Sequence, residues 1–444
     1  MQNTIQLDVV ASLAEDGFSL DELVIKTREL FEQEGMPGLI GLILRLVDEL
    51  ICRRLVSSEG SWKPRLCCDH PRYEYKDLQD RTFRTSAGVV KLMWNRLRCR
   101  SCNASAVPLR TFLGLQKYQR KTSELEKMVT EVMSEQSYRR GSDHLDRIGE
   151  IPVPKSTAHR WVMESDCDEF SPSGQKLDQM LADGTGFKRR FVAGTGETNR
   201  GELCVLLGIT AKGTTVPLGA WSGKSWEEIG EELKKGPPEQ WPKADVLTSD
   251  GEQGLAEGLS AFINGQQRCH WHATHDLGYT LWQDGVSKDE RRALQEDLAL
   301  VLGVEIPKED IEPVTATDRK ELQQYVVDSE KYIETMIGRM NGKGYFQAAG
   351  YLRRMKDNLF TYMKRWLATG LVGPRVSSWI ERVMREIARR LKRMAFGWSE
   401  KGAEKMTRIV LKRFTDRTGW EAWWKKRLRV NDNVMLIYRG VKII

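Results

Sequence analysis

The chain has 444 residues, 40% apolar and 30% charged, with 69 Lys and Arg against 62 Asp and Glu for a net charge of +7. That length allows more than one domain of about 100–200 residues, and the composition is that of a soluble globular protein with helix-rich stretches. No run approaches the roughly 18 uncharged apolar residues of a membrane span, and the opening MQNTIQLDVVASLAEDGF has acids where a secretion signal has a basic start and an apolar core, so neither a membrane partner nor an export signal is expected.

Residues 1–60 read as helices. LDELVIKTRELFEQEG and PGLIGLILRLVDELICRRLV carry apolar residues at helical spacing, parted by Gly35 and Pro37. The second is apolar on more than one face, which suits a core or a dimer contact. Residues 61–112 change character. RTFRTSAGVVKLMWNRLRC predicts two short strands joined near Ser86-Ala87-Gly88, bracketed by Cys67-Cys68-Asp69-His70 and Cys99-Arg100-Ser101-Cys102. A hairpin between two ligand pairs is the plan of a zinc ribbon, in which four donors close a tetrahedron around Zn²⁺. The expected ligands are Cys67, His70, Cys99 and Cys102, with Cys68 as the alternative first ligand. Cys52, Cys167 and Cys204 stand alone and are assigned to packing.

Residues 113–172 are helical again. SELEKMVTEVMSE, SYRRGSDHLDRIG and KSTAHRWVMESD are short helices around a break at Ile151-Pro152-Val153-Pro154, the order of a helix-turn-helix. There the last helix enters the major groove, so Lys155, Ser156, Thr157, His159 and Arg160 are the expected DNA-contacting residues. Clustered cations support the same partner, since each neutralised phosphate releases a counterion. Lys91, Arg96, Arg98, Arg100, Arg110, Lys117 and Arg120 stand without an acid among them. Ten Lys and Arg between Lys401 and Val430 face only Glu404, Asp416 and Glu421.

From residue 173 to 284 the period is that of strands. QKLDQMLADG, KRRFVAGTG, LCVLLGITAKG and TTVPLGAWSG are short apolar runs parted by glycines; SWEEIGEELKKG and LAEGLSAFING are helices around the buried strand ADVLTSDG, and QQRCHWHA opens another segment. Strands in meander, then helix, strand, helix and strand, is the element order of a ribonuclease H-like fold. Residues 285–370 are helical and charged, residues 371–412 add the long helix SSWIERVMREIARRLKRMAFGW, and residues 413–444 form a basic tail with Trp420, Trp423 and Trp424. The expected fold class is therefore multidomain α+β: a ribonuclease H-like α/β core interrupted by an all-helical insertion, preceded by zinc-ribbon-like and helix-turn-helix modules.

Asp183 and Asp250 each end an apolar run and precede a glycine. Carboxylates at strand ends suit Mg²⁺, which wants oxygen donors from separate elements, and a metal pair about 3.5–4 Å apart can serve both the attacking and the leaving oxygen of a phosphodiester. Asp-Gly is also an ordinary turn signal. A third carboxylate from the last helix would be Glu381 or Glu386. Glu381 lies at the margin of the apolar stripe Ile380, Val383, Met384, Ile387 and Leu391, but Ser378-Trp379-Ile380-Glu381 also has the spacing of a capping box.

QRCHWH at Gln267–His272, following TSDGEQGLAEGLSAFING, resembles the C-x-x-H block of Mutator-like DDE transposases, a superfamily that includes many bacterial insertion-sequence enzymes. DGTGFK at Asp183–Lys188 is similar to their first-aspartate block, and SSWIERVMREIARRLKRMAFGWSEKGAEKM to the block whose catalytic glutamate opens a long basic helix. The resemblance implies that Asp183, Asp250 and Glu381 form a catalytic triad holding Mg²⁺ or Mn²⁺, and that Cys269 and His272 are the C-x-x-H pair. For that pair a structural role at the sheet edge beside Asp250 is expected, although His270 and His275 leave a local metal site open. It further implies binding to transposon terminal inverted repeats, hydrolysis of the ends, and transfer of the freed 3′-hydroxyl to target DNA. At least a homodimer is implied, working in the cytoplasm of a prokaryotic cell, on the nucleoid. Trp282 and Trp366 are candidates for stacking on an unpaired base, with core packing as the alternative. Other expectations for the same residues are a ribonuclease H-like nuclease of recombination or repair, and a catalytically silent, domesticated DNA-binding protein.

Overall fold

The computed structural model describes residues 19–58, 64, 66–149, 151–170, 176–190, 199–252, 254–307, 314–394 and 396–429. The chain divides into two compact units, Met1–Glu164 with Arg427–Ile444, and Ser165–Lys426. Among the described residues no helix is long and apolar enough to cross a membrane.

In the first unit, helix α1 (Leu20–Glu29) and helix α2 (Met36–Ser57) are joined by a π-helical stretch, Leu30–Gly35, so the expected break at Gly35 and Pro37 does not occur. Pro37 falls in the first turn of α2, the helical position that best accommodates its missing N–H. Strands β1 (Tyr73–Thr85) and β2 (Gly88–Cys99) form the expected hairpin, and a short β3 (Ser105–Ala106) adds to β2. The turn is two residues long because Gly88 adopts φ +102°, a left-handed conformation that costs glycine little. Val90, Leu92 and Trp94 alternate inward along β2. Asp48 of α2, fully buried, accepts from the backbone and side-chain nitrogens of Asn95 at 2.7 and 2.8 Å and so locks the helix to the strand. A short α3 (Pro108–Phe112) follows, then three helices, α4 (Ser123–Glu135), α5 (Tyr138–Arg147) and α6 (Lys155–Glu164), packed through Leu125, Val129, Met133, Leu145, Ala158 and Val162. Thr122 and Ser137 cap α4 and α5.

In the second unit a five-stranded sheet has the order β6-β5-β4-β7-β8. Strands β4 (Lys176–Lys188), β5 (Arg200–Thr210) and β6 (Thr215–Ser222) are an antiparallel meander, while β7 (Lys243–Ser249) and β8 (Ile263–Arg268) run parallel to β4. Helix α7 (Trp226–Leu233) has a true capping box from Ser225 and Glu228. The strand expected at KRRFVAGTG lies largely outside the described residues. The helix expected over LAEGLSAFING is only α8 (Leu255–Gly258) and a 3₁₀ turn, because β8 already begins at Ile263. There the demand of the sheet for a fifth strand overrides a weak helical period.

Helices α9 (His270–Gln283), α10 (Lys288–Val301), α11 (Ala316–Gly342), α12 (Phe346–Met355) and α13 (Thr361–Thr369) share a hydrophobic core of their own, with Leu277, Leu298, Ile333, Leu352 and Trp366 among its fully buried members. Helix α14 (Ser378–Leu391) lays its apolar stripe on β4, and α15 (Glu400–Thr415) packs against β6. The stretch expected as a basic tail continues as helix α16 (Arg417–Leu428), with Trp420 and Trp424 buried.

Candidate active site

Register places the two aspartates. Leu181 of β4 pairs with Thr248 of β7, and Asp183 and Asp250 each follow two residues later, so parallel strands carry both carboxylates to the same level on the same face. Asp183 is not at a strand end, as its Asp-Gly sequence suggested: β4 runs on to Lys188, paired there with β5 alone. Gly184 and Gly186 are strand residues, and a Cβ at Gly184 would press on the Glu252 carboxylate. Asp250 does stand at a turn. Its Oδ1 accepts from the Glu252 N–H at 3.0 Å, and Gly251 has φ +78°. A side chain at Gly251 would overlap the buried Arg268 guanidinium, which donates to Tyr351 Oη at 2.9 Å.

Burial, then the charge of Asp250, push the Asp183 carboxyl up to about 7; His272 and a backbone hydrogen bond from Gly184 oppose this, and Glu381 adds to it. Among the described residues no Lys or Arg forms an ion pair with Asp183, Asp250 or Glu381. Asp250, and more weakly Glu381, thus stand near enough to Asp183 to repel its charge, with His272 opposing them; the three carboxylates do not themselves gather within 4.8 Å of one another, as Cys269, His272 and Glu381 do. Hard carboxylate oxygens of this kind suit a divalent cation.

Glu381 sits in the first turn of α14, but not in a capping box. The N-cap is Ser377, one residue earlier than the S-x-x-E spacing implied, and it makes no side-chain capping bond. Its Oγ instead donates to Glu381 Oε1 at 3.0 Å and lies 3.3 Å from Cys269 Sγ, which the Ser377 N–H also reaches at 3.3 Å. The alternative, Glu386, is ion-paired with Arg389 at 2.7 Å.

Cys269 is fully buried, and its N–H donates to Ser249 O at 2.9 Å. One residue therefore ties the end of β7, just before Asp250, to the start of α14, just before Glu381. Burial alone would raise its thiol, yet hydrogen bonds from His272 and Ser377 bring it below the ordinary thiol value. His272 is raised in turn: burial works against protonation, but Cys269 and Asp250 overcome it. Cys269, His272 and Glu381 offer ligand atoms within 4.8 Å of one another. The flanking histidines are elsewhere. His270 is buried, bonded to Leu359 O at 2.7 Å and held at about 4 by burial. His275 is stacked on the exposed Trp271. Trp366 is fully buried and cannot stack on a base, whereas Trp282 is 62% exposed. The contacts of Ser377 with Cys269 and of Arg268 with Tyr351 had no signal in the sequence, since the partners lie 108 and 83 residues apart.

In the first unit, the side chains that gather are Cys67, Cys68, Cys99 and Cys102, all within 4.8 Å of one another; His70 is exposed and outside the set. The hairpin register makes this, because Tyr73 pairs with Cys99 and so brings the segment before β1 to the end of β2. Cys68 Sγ lies 4.0 Å from Cys67 and 3.8 Å from Cys99, close to the roughly 3.8 Å between sulfurs of a tetrahedron with Zn–S bonds of about 2.3 Å. Burial works against ionising Cys99, but backbone hydrogen bonds with Cys102, Arg72 and Ser101 bring its thiol down to about 6. Zn²⁺ fits this donor set.

Lys155, Ser156, His159 and Arg160 are exposed along the first turns of α6, and Thr157 is half-buried. The basic clusters of the sequence are less basic in space. Arg96 pairs with Asp77, and Arg98 and Arg100 both reach Glu74 at 2.6 Å across the hairpin. Lys405 and Arg408 share Asp168.

Neither a protein-family model nor a curated protein matches the chain. Among solved structures, the Drosophila P element transposase strand transfer complex is similar over 73% of this chain and 86% of that chain, at 11% identity and a TM-score of 0.26, a likeness too slight to carry over fold or function.

Proposed function

We propose that the protein is a DNA transposase of the DDE type, with Asp183, Asp250 and Glu381 as its catalytic carboxylates. The observation that supports this is electrostatic: burial first, then Asp250 at the end of β7 and more weakly Glu381 in the first turn of α14, push Asp183 of β4 up to about 7. The strand order, with three antiparallel strands followed by two parallel ones, supports a ribonuclease H-like core, and the helices α9–α13 between Asp250 and Glu381 support the Mutator-like reading.

Mg²⁺ or Mn²⁺, when bound, supplies Lewis acidity at the phosphate. The chain's own residues prepare the place. Asp183 sits within β4 and Asp250 just past the end of the adjacent β7, Ser377 orients Glu381, and Cys269 holds β7 and α14 together. The reaction is two in-line displacements at phosphorus: water cleaves the transposon end, and the released 3′-hydroxyl then attacks target DNA, one P–O bond forming as one breaks. Exposed Lys155, Ser156, His159 and Arg160 of α6, with Thr157, would read the terminal repeat as the last helix of a helix-turn-helix. The Cys67, Cys68, Cys99 and Cys102 ribbon would hold structural Zn²⁺. Acting on two ends calls for at least a homodimer, in the prokaryotic cytoplasm on nucleoid DNA.

The test uses labelled DNA carrying the repeats that border the protein's own reading frame, incubated with Mg²⁺ or Mn²⁺. Cleaved ends and strand-transfer products are expected, and Asp183→Ala, Asp250→Ala and Glu381→Ala should each lower both by at least about 10³-fold while leaving DNA binding intact. Cleavage without transfer would indicate a nuclease. Binding without either would indicate a silent DNA-binding protein. Full activity in Glu381→Ala would remove Glu381 from the site.

A further inference from the structure

We infer that the outer face of α14 is a track for the phosphate backbone of the DNA next to the reacting bond; this rests on the transposase reading and adds the surface along which the DNA runs. Ile380, Val383, Met384, Ile387 and Leu391 are buried. Arg382, Arg385, Arg389, Lys392 and Arg393 are all exposed. At 3.6 residues per turn Arg382, Arg385 and Arg389 fall in one stripe about 60° wide, and Lys392, the C-cap, and Arg393 stand in the turn just past its end. It begins one residue after Glu381, on the side of the helix away from the sheet.

Unlike Arg96, Arg98 and Arg100 of the hairpin, most of the stripe meets no carboxylate. Among the described residues no carboxylate forms an ion pair with Arg382, Arg385, Lys392 or Arg393, and the acid within the helix that does pair, Glu386, takes Arg389 at 2.7 Å. Arg390 is not part of it, since its guanidinium is buried over the Trp398 ring at 4.7 Å. Four positive charges held without counter-charge on the helix and the turn that follows it repel one another, and an external polyanion relieves that.

Geometry selects the polyanion. From Arg382 to the C-cap Lys392 the chain rises about 15 Å, and a DNA strand carries a phosphate every 3.4 Å or so of helix axis, so the stripe can lie beside about four phosphates. Guanidinium groups bind phosphate oxygens in pairs. A lipid surface is a poor match, because the apolar face such a helix would insert is already in the core.

The experiment measures anisotropy of a fluorescein-labelled 30-base-pair duplex of arbitrary sequence with the full chain over a salt series, beside the cleavage assay. Arg382→Gln/Arg385→Gln/Lys392→Gln should lower the slope of log affinity against log salt by roughly 2–3 and weaken binding at least tenfold, at about 0.9 in slope per phosphate contact. The fold should persist, as the three side chains are exposed. Arg382→Lys/Arg385→Lys should keep the slope. Arg292→Gln/Lys331→Gln/Arg417→Gln, which removes as much charge from exposed positions elsewhere, should also keep it. An unchanged slope in the α14 variant, or an equal fall in the distant one, overturns the track even where the wild type cuts ends. A loss of slope specific to α14 in a protein that cuts no ends leaves the track standing and removes the transposase reading.

Discussion

Asp183 shows how a site reveals itself through a single group. Its carboxyl titrates near 7, well above its value in an unfolded chain, for reasons of burial and of the neighbouring Asp250 charge. A raised acid stabilises the fold fully below the unfolded value near 4, and that contribution is lost as pH rises through 7. Without divalent metal, Asp183→Asn should therefore be more stable than wild type by about 1–3 kcal/mol at pH 8, with a smaller gain at pH 5, as read by urea denaturation. Added Mg²⁺ should stabilise the wild type at pH 8 and not the variant. A gain independent of pH would mean that the carboxylate is not held against repulsion. The residues around it are fixed by short polar bonds between remote segments, such as Ser377 to Cys269, and no local pattern announces them.

At the scale of elements, the β1–β2 hairpin was legible because period-2 alternation and a glycine turn are local properties. Its consequence for the thiols was not. His70 has the familiar spacing from Cys67, yet the pairing of Tyr73 with Cys99 carries Cys68 inward and leaves His70 exposed. Cys68→Ser should abolish bound zinc, from about one ion per chain by plasma emission spectroscopy, while His70→Ala retains it; the reverse result would restore the C-x-x-H ligand pair. The same gap explains the basic runs. Arg96, Arg98 and Arg100 look unopposed along the chain because Asp77 and Glu74 stand on the other strand. In α14 the cations share one helical face, so a period visible in the sequence survives into the surface.

For the whole molecule, two units with separate cores predict separable unfolding. Calorimetry should show two transitions: a zinc chelator should lower the one belonging to the ribbon unit, and MgCl₂ should raise the one belonging to the carboxylate unit. One transition moved by both treatments would show that the units unfold together. The sequence by itself determined most of the order of strands and helices, the helical block between Asp250 and Glu381, and the short list of carboxylates and thiols able to do chemistry. Those follow from periodicity and turn residues, which act over a few positions. Tertiary structure alone decided that Asp183 lies within a strand, that Glu381 faces Ser377 without forming a cap, that Cys68 rather than His70 gathers with the other thiols, and which cations meet a carboxylate on another strand. Those depend on strand register and helix packing, which bring together residues up to about 200 positions apart and are invisible to any local window.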